Sequence, residues 1–357
     1  MDASIFHTSF NCLTRVLERR KIMANLVALS LFSFLFFLWA PAFSQDAKLI
    51  ETAKKEGGKI VAYGSLQAEI LEPSKSVFEK KTGLTLEYWR ASATKVMDRA
   101  VNEYRAGKPL FDVLFIPSNE ARFLVKDGII VKYLPPTAKD FPKEAIDSEI
   151  GVIHRRAVIG VAFNSSIIKF AEAPKSLEEL VHPKYKGKIA MPDPTQHSTT
   201  AQWLASLYKI LGKDKSDKFI RDLAAMKPIL LESLSPTAER VSTGETPIGI
   251  TQLNSVFLYS QNGAPVDYAR LGKFLGDQNL LVLGSKAPRP NAGKAFMDYY
   301  HSDESLKIIA KAGEFVTRVG IYPPLPDADK VQFIPMDELD EKGYADKKSE
   351  YRKLFLQ

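Results

Sequence analysis

Several side chains that can donate hydrogen bonds lie at one predicted helix start, in the stretch MPDPTQHSTTAQWL at 191–204. His197 and a cluster of hydroxyls stand at the beginning of an apolar helix predicted from about Ser198. The first backbone N–H groups of a helix are unpaired, and the helix dipole is positive at that end. Such a start favours an oxyanion, so the stretch predicts a site for a carboxylate, phosphate or phosphonate group.

His197 has three interpretations: a metal ligand, a donor to an anion, or a polar turn residue. No second His, Cys or acidic pair lies nearby at the spacing of a metal site. We therefore expect a neutral donor, and we predict neither a metal nor another cofactor. Asp193 would either cap the turn or contact a cationic group on the ligand.

Similar polar starts follow the other predicted strands. A Ser, Thr or Asn at a helix start is often only an N-cap, worth about 1 kcal/mol. Ser235-Pro236 has the pattern of an N-cap followed by proline at the first helical position. Tyr63 could either line the cleft or pack in the core. Six such helix starts facing one cleft would favour a ligand-binding role for these residues over helix capping alone. The candidate ligand-binding residues are Tyr63, Ser65, Gln67, Arg90, Ser92, Thr94, Ser118, Asn119, Thr195, His197, Ser198, Thr199, Ser235, Asn254 and Ser255.

Two sets of alternating strands and helices position these residues. The predicted strands lie at 59–63, 84–89, 110–116, 157–163, 188–191, 228–231, 247–253 and 279–283. The β-α-β-α-β order of the first three predicts a parallel sheet, and a second such set begins near 157. The last strand, with helices near 293–301 and 303–312, returns to the first set. The pattern predicts an α/β fold with two lobes joined by crossing strands and a cleft at the strands' carboxyl ends.

The N-terminal segment predicts export. Four basic residues at 15–21 precede an uncharged run at 26–39, which ends in Ala42-Phe43-Ser44. This pattern is typical of a signal peptide cleaved after Ser44, and a membrane anchor is the alternative. The single cysteine, Cys12, lies inside that segment, so no disulfide is expected in the mature chain. The net charge of the 357 residues is +7, but the basic residues are scattered, which argues against nucleic-acid binding.

Common catalytic motifs are missing from the sequence. It contains no G-x-S-x-G, H-E-x-x-H, C-x-x-C or G-x-G-x-x-G motif and no P-loop. We therefore predict that the protein is not an enzyme. An exported hydrolase with an unusual site is the alternative.

Several segments resemble the type II periplasmic solute-binding proteins of ABC importers, in the group related to ferric-iron, thiamine and phosphonate binders. They are KIVAYGSLQAEILEPSKSVFEKKTGLTLEYWRAS, FDVLFIPSNEARFLVKDGIIVKY, VIGVAFNSSII, VHPKYKGKIAMPDPTQHST, STGETPIGI and SKAPRPNAGKAFMDYYHSDESLKIIAKAGEF. The likeness covers most of 57–323. It implies a periplasmic monomer whose lobes close on a ligand and dock on a membrane permease. The implied divisions are a signal peptide at 1–44, lobe 1 at 45–158 and 270–320, lobe 2 at 159–269, and a C-terminal helical segment at 321–357 packing on the lobes.

Departures from the group bear on the ligand. The iron-binding branch has two adjacent tyrosines where this chain has Asn254-Ser255, and neutral Asn and Ser are poor ligands for ferric iron. His197-Ser198-Thr199 stands where Ser-Gly-Thr is usual in the anion loop. We expect a small organic anion paired with Arg90. Direct ferric-iron binding is the alternative.

Overall fold

The computed structural model describes residues 47–356. The predicted signal peptide and Cys12 lie outside the described residues. No helix within 47–356 is long and apolar enough to cross a membrane.

The described chain alternates helices and strands. The helices are α1 (Ala47–Lys55), α2 (Ala68–Thr82), α3 (Ala93–Arg105), α4 (Ser118–Lys126), α5 (Ser198–Ser206), α6 (Tyr208–Leu211), α7 (Lys213–Ala225), α8 (Leu234–Ser242), α9 (Leu253–Gln261), α10 (Pro290–Tyr300), α11 (Asp303–Lys311) and α12 (Glu341–Phe355). The strands are β1 (Lys59–Gly64), β2 (Thr85–Arg90), β3 (Val113–Pro117), β4 (Ile130–Val131), β5 (Ile153–Asn164), β6 (Ile189–Pro192), β7 (Ile229–Leu231), β8 (Ile248–Gln252), β9 (Val266–Tyr268), β10 (Lys273–Gly284), β11 (Phe315–Val316) and β12 (Gln332–Pro335). Short 3-10 helices occupy several of the connections.

The main strands follow the order β2-β1-β3-β10-β5-β8-β6-β7. The first half of the sheet, β2-β1-β3, is parallel, as predicted from its β-α-β-α-β order. In the second half, β8-β6-β7, the strands are also parallel. The carboxyl ends of parallel strands gather helix N-termini, which is where the sequence places the candidate residues.

Two long antiparallel strands, β5 and β10, connect the two halves of the sheet. β10 pairs with β3 through Asn279–Leu283 and with β5 around Gly276, while β5 pairs with β8 through Ile159–Phe163. Both strands were predicted from their apolar portions alone. Each is twelve residues long because a polar segment, such as HRR at 154–156, continues the same extended backbone.

Each half of the sheet packs into its own apolar core. Phe78, Phe115 and Phe296 belong to the core of the first half, and Phe163 and Trp203 belong to that of the second. The C-terminal helix α12 packs on α5 and α7. Its fully buried Tyr351 joins the second core, which attaches the C-terminal segment to that half of the sheet.

Candidate functional site

A small cavity of about 40 Å³ lies between the two halves of the sheet; we call it the candidate cavity. It is lined by Ser65, Arg90, Ser92, Ala93, Pro117, Arg155, Ala157, His197, Thr199, Ser233, Leu234, Ser235, Gln252, Asp277 and Asn279. Six of these residues were candidates from the sequence: Ser65, Arg90, Ser92, His197, Thr199 and Ser235. The volume suits a few water molecules, so a larger solute requires the two sides of the cavity to separate.

Several helices begin at this cavity. Ser92, Pro117, His197, Ser233 and Gln252 are the N-cap residues of α3, α4, α5, α8 and α9, and all five line the cavity. Their unpaired N–H groups and dipoles make the local potential positive. The sequence predicts that helix starts from both parts of the chain face one cleft, and these helices do so. Their N-cap residues are not all the ones expected from the sequence.

The proposed cap at Ser235 is wrong. α8 begins at Leu234, one residue before Ser235, and Ser233 occupies the N-cap position without a side-chain cap bond. Ser235 therefore lies in the first turn, where its hydroxyl accepts hydrogen bonds from Arg90 Nη2 at 2.9 Å and Gln67 Nε2 at 3.2 Å.

Arg90 brings a positive charge to the cavity at the carboxyl end of β2. Its guanidinium donates to the Ser235 hydroxyl, and no acidic side chain in the described residues forms an ion pair with it. A partly buried cation that contacts only neutral hydroxyls is poorly compensated. An oxyanion in the cavity would supply the charge-assisted bonds that the protein itself does not.

Gln67, Asn254 and Ser255 lie behind the cavity wall. The Gln67 amide donates to Ser235 Oγ and, at 3.1 Å, to Ser255 Oγ. Asn254 Nδ2 donates to Gln67 Oε1 at 3.4 Å and to Glu314 Oε1 at 2.6 Å. All three predicted residues are buried, so they hold Ser235 and its neighbours rather than line the cavity.

A buried ion pair beside the cavity was not predicted. Arg155 Nη1 lies 3.2 Å from Glu314 Oε2, and both side chains are almost fully buried. Arg155 Nη2 also donates to Asn279 Oδ1 at 3.0 Å. Burial raises the pKa of Glu314, and the Arg155 charge opposes that rise. The positive charge of Arg155 and the negative charge of Glu314 offset each other, so Arg155 offers less net charge to a ligand than Arg90 does.

Asp277 is the acidic group in the cavity, on β10. Thr199 Oγ1 donates to its Oδ2 at 2.7 Å, which links α5 to β10. Burial raises the pKa of Asp277 to about 6, so the carboxyl is mainly ionised at pH 7. A cavity that contains both Arg90 and Asp277 offers a hydrogen-bond acceptor with a negative charge as well as a positive charge.

His197 is the N-cap of α5. Its Nδ1 accepts from the Thr200 backbone N–H at 3.3 Å. Burial, and then the charge of Arg90, lower the pKa of His197 to about 4. The imidazole is therefore neutral at pH 7, and with Nδ1 acting as acceptor its proton lies on Nε2, which is a donor.

Six other predicted residues lie outside the cavity lining. Tyr63 donates to Glu103 Oε1 at 3.0 Å and its ring stacks on Arg99, so it packs in the core rather than lining the cleft. The other five residues make contacts elsewhere. The Ser198 hydroxyl donates to Glu120, and the Thr94 hydroxyl lies 3.5 Å from that of Ser198. Asn119 accepts from the Leu339 N–H, the Thr195 N–H donates to Asp193, and Ser118 is the first residue of α4. None of these five residues belongs to the lining of the candidate cavity.

The described residues offer few side-chain arrangements that could bind a metal ion. No group of three His, Cys, Asp or Glu side chains is arranged there to hold a metal ion. No tyrosine lines the candidate cavity, and Asp277 is its one carboxylate. This lining offers one carboxylate and no phenolate, whereas a ferric ion prefers several such oxygens.

Comparison with known proteins identifies the family of the chain. The family model for bacterial extracellular solute-binding proteins matches residues 59–313. The chain belongs to this family. This confirms the predicted resemblance to the solute-binding proteins of ABC importers.

Two known proteins are distantly similar to the chain in sequence. A probable ABC transporter periplasmic-binding protein of Sinorhizobium fredii, y4fP, is 23% identical over 314 residues, 81% of this chain and 78% of that protein. An uncharacterized Haemophilus influenzae protein is 25% identical over 175 residues, 46% of this chain, and the match spans half of its length, 50%.

Solved structures of solute-binding proteins confirm the fold. The periplasmic binding protein AfuA of Actinobacillus pleuropneumoniae, with exogenous fructose-6-phosphate bound, has a TM-score of 0.67 at 21% identity, over 84% of this chain and 97% of AfuA. Iron-bound HitA of Pseudomonas aeruginosa has a TM-score of 0.65 at 18% identity, over 84% of this chain and 98% of HitA. The chain therefore has the two-lobed type II periplasmic binding protein fold.

Proposed function

We propose that this solute-binding protein captures a small organic anion, a carboxylate, phosphonate or phosphate ester, in the candidate cavity and delivers it to an ABC permease. The observation that carries the proposal is Arg90, a cation in a cavity lined by five helix N-caps, whose one hydrogen-bond partner among the described residues is the Ser235 hydroxyl. The family of the chain consists of solute-binding proteins, so the role we propose is capture and release rather than catalysis. A phosphate ester is also what AfuA holds in its solved structure.

Binding and release would occur by movement of two lobes. The lobes would comprise 45–158 with 270–320, and 159–269, followed by the C-terminal segment 321–357. Polar contacts between them include Arg90 with Ser235 and Lys95 with Glu232, the latter at 2.8 Å and exposed. The exposed pair of Lys95 with Glu232 contributes little, about 0–1 kcal/mol. The buried contacts of Asn254 with Glu314 and Thr199 with Asp277 also join the lobes. The ligand would then stabilise the closed form.

The exported protein would work as a periplasmic monomer. Its signal peptide, 1–44, would be removed after Ser44, and the closed form would be recognised by the permease. A size-exclusion experiment with light scattering on purified protein would test the monomer.

A ligand screen tests the anion proposal against ferric iron. The purified protein would be melted with phosphate esters, phosphonates, aliphatic carboxylates, and ferric citrate with an iron-free citrate control. A ligand at a hundredfold excess over its Kd should stabilise the protein by about 2.7 kcal/mol. Stabilisation by an organic anion supports the proposal. Stabilisation by ferric citrate alone, with none from citrate, would refute it in favour of the iron alternative.

Arg90→Ala provides the decisive variant. Truncating one side of a buried charge pair commonly costs about 2–5 kcal/mol, so affinity for the bound anion should fall at least thirtyfold by isothermal titration calorimetry. Arg105→Ala is the matched control, because Arg105 is an exposed arginine at the end of α3, outside the cavity lining. Equal affinity in the wild type and Arg90→Ala would place the anion elsewhere.

A further inference from the structure

Asp277 and Asn279 form a second polar group in the candidate cavity, separate from Arg90. They are alternate residues of β10, and therefore face the same side of the strand. Both line the cavity and both are almost fully buried. The proposed anion would contact Arg90, which leaves these two side chains to meet another part of the ligand.

Their hydrogen bonds inside the protein are incomplete. Asp277 Oδ2 accepts from Thr199, but Oδ1 has no hydrogen-bond partner in the described residues. Asn279 Oδ1 accepts from Arg155, and this bond fixes the orientation of the amide. Asn279 Nδ2 is then a buried donor without a partner. Because an unpaired buried polar atom is unfavourable, an acceptor at Asp277 and a donor at Asn279 remain available to a ligand.

A hydroxyl group matches this pair. A hydroxyl can donate its proton to Asp277 Oδ1 and accept from Asn279 Nδ2 through its lone pairs. An ammonium group only donates, so it would leave Asn279 Nδ2 unpaired. It would also bring a positive charge near the Arg155 guanidinium, which lies close enough to Asp277 to oppose the rise in its pKa. A methyl group would satisfy neither atom.

We infer, building on the proposed function, that the solute is a hydroxylated organic anion, with its anionic group at Arg90 and a hydroxyl at Asp277 and Asn279. Hydroxy acids and polyol phosphate esters are the chemical classes that fit. Asp277 is then a specificity-determining residue, whereas Arg90 supplies the general attraction for anions.

Isosteric ligand series test this inference. The first series is propyl phosphate, 2-hydroxyethyl phosphate and 2-aminoethyl phosphate; the second is butanoate, 3-hydroxypropanoate and 3-aminopropanoate. Within each series the terminal methyl, hydroxyl and ammonium groups have nearly the same size. By isothermal titration calorimetry, the hydroxyl member should bind at least tenfold more tightly than the methyl and amino members in the series whose anionic group fits.

Asp277→Asn tests the assigned residue. Losing the charge weakens the bond from the hydroxyl, so the preference over the methyl member should fall to about threefold or less, while affinity for the methyl member stays nearly constant. Asp267→Asn is the matched control, because Asp267 pairs with Arg270 and is not in the cavity lining. Circular dichroism melting would verify that both variants fold.

The outcomes separate this inference from the anion proposal. Equal binding of all three members of a series would overturn the hydroxyl inference and leave the anion proposal standing. Tightest binding of the amino member would also overturn it, in favour of a zwitterionic ligand. Failure of all six ligands and of inorganic phosphate to bind would contradict the anion proposal itself, and the inference with it.

Discussion

At the scale of single residues, the protonation of Glu120 is coupled to folding. Its Oε1 accepts a hydrogen bond from Ser198, and its buried Oε2 has no hydrogen-bond partner within 47–356. Burial, and then the negative charge of Asp277, raise the pKa of Glu120 to about 7. An unfolded glutamate has a pKa of about 4.3. The folded protein therefore keeps a proton that the unfolded chain loses, so stability falls as pH rises from about 4 to about 7.

We predict that Glu120→Gln reduces this pH dependence. Above pH 7 the ionised carboxylate costs the folded state about 2–4 kcal/mol, since each unit of pKa shift is worth about 1.4 kcal/mol. The melting temperature of the variant, relative to the wild type, should be several degrees higher at pH 8 than at pH 5. Glu341→Gln, at an exposed position on α12, is the control. Parallel melting curves for the wild type and Glu120→Gln from pH 5 to 8 would contradict this account.

Residues of the cavity differ in how far the sequence could predict them. Arg90, Ser92 and His197 stand between a strand and a helix, where the fold class alone places them at the strands' carboxyl ends. Arg155 and Asp277 lie inside strands, and no turn or cap marks them. Both lie in the polar portions that extend the predicted apolar runs of β5 and β10, where no apolar periodicity indicates burial. Their partners, Glu314 and Thr199, are distant in sequence.

At the scale of elements, the close pairing of β5 and β10 depends on Gly276. A Cβ at this position would overlap the carbonyl oxygen of Ala157 on β5 and lie 2.8 Å from the Phe333 ring on β12. The carbonyl belongs to the backbone, so the strands themselves would have to shift. These are the strands that connect the two halves of the sheet.

We predict that Gly276→Ala destabilises the protein by about 1–3 kcal/mol, the range for an overpacked interior. Chemical denaturation should show a lower midpoint, with ligand affinity reduced as well because Asp277 is the next residue. Lys273→Ala, at an exposed position of the same strand, should have an effect within about 0.5 kcal/mol. Unchanged stability of Gly276→Ala would show that β5 and β10 tolerate a wider separation.

Elements were predictable where apolar periodicity and turns coincide, as in the β-α-β-α-β order of the first half of the sheet. The polar portions of β5 and β10 were not predictable, because their extended backbone is imposed by neighbouring strands rather than by their own side chains. The start of α8 was misplaced by one residue for a similar reason. Ser235 has the pattern of a cap, but its hydroxyl bonds to Arg90 and Gln67, which belong to distant elements.

At the scale of the whole molecule, the two-lobed fold explains how so small a cavity could serve a solute. The candidate cavity of about 40 Å³ is lined by side chains from both halves of the sheet. Several of these contacts join neutral hydroxyls to a charged group, as Ser235 does with Arg90 and Thr199 with Asp277. In the proposed complex the anionic group of the ligand adds bonds to Arg90 and its hydroxyl adds bonds to Asp277 and Asn279, so the ligand stabilises the closed lobes.

A crystal structure of the protein with the solute that stabilises it most in the ligand screen would test the central claim most directly. We predict closed lobes, with the anionic group of the solute within about 3 Å of the Arg90 guanidinium. An anionic group bound away from Arg90, or a ferric ion held in its place, would contradict the account.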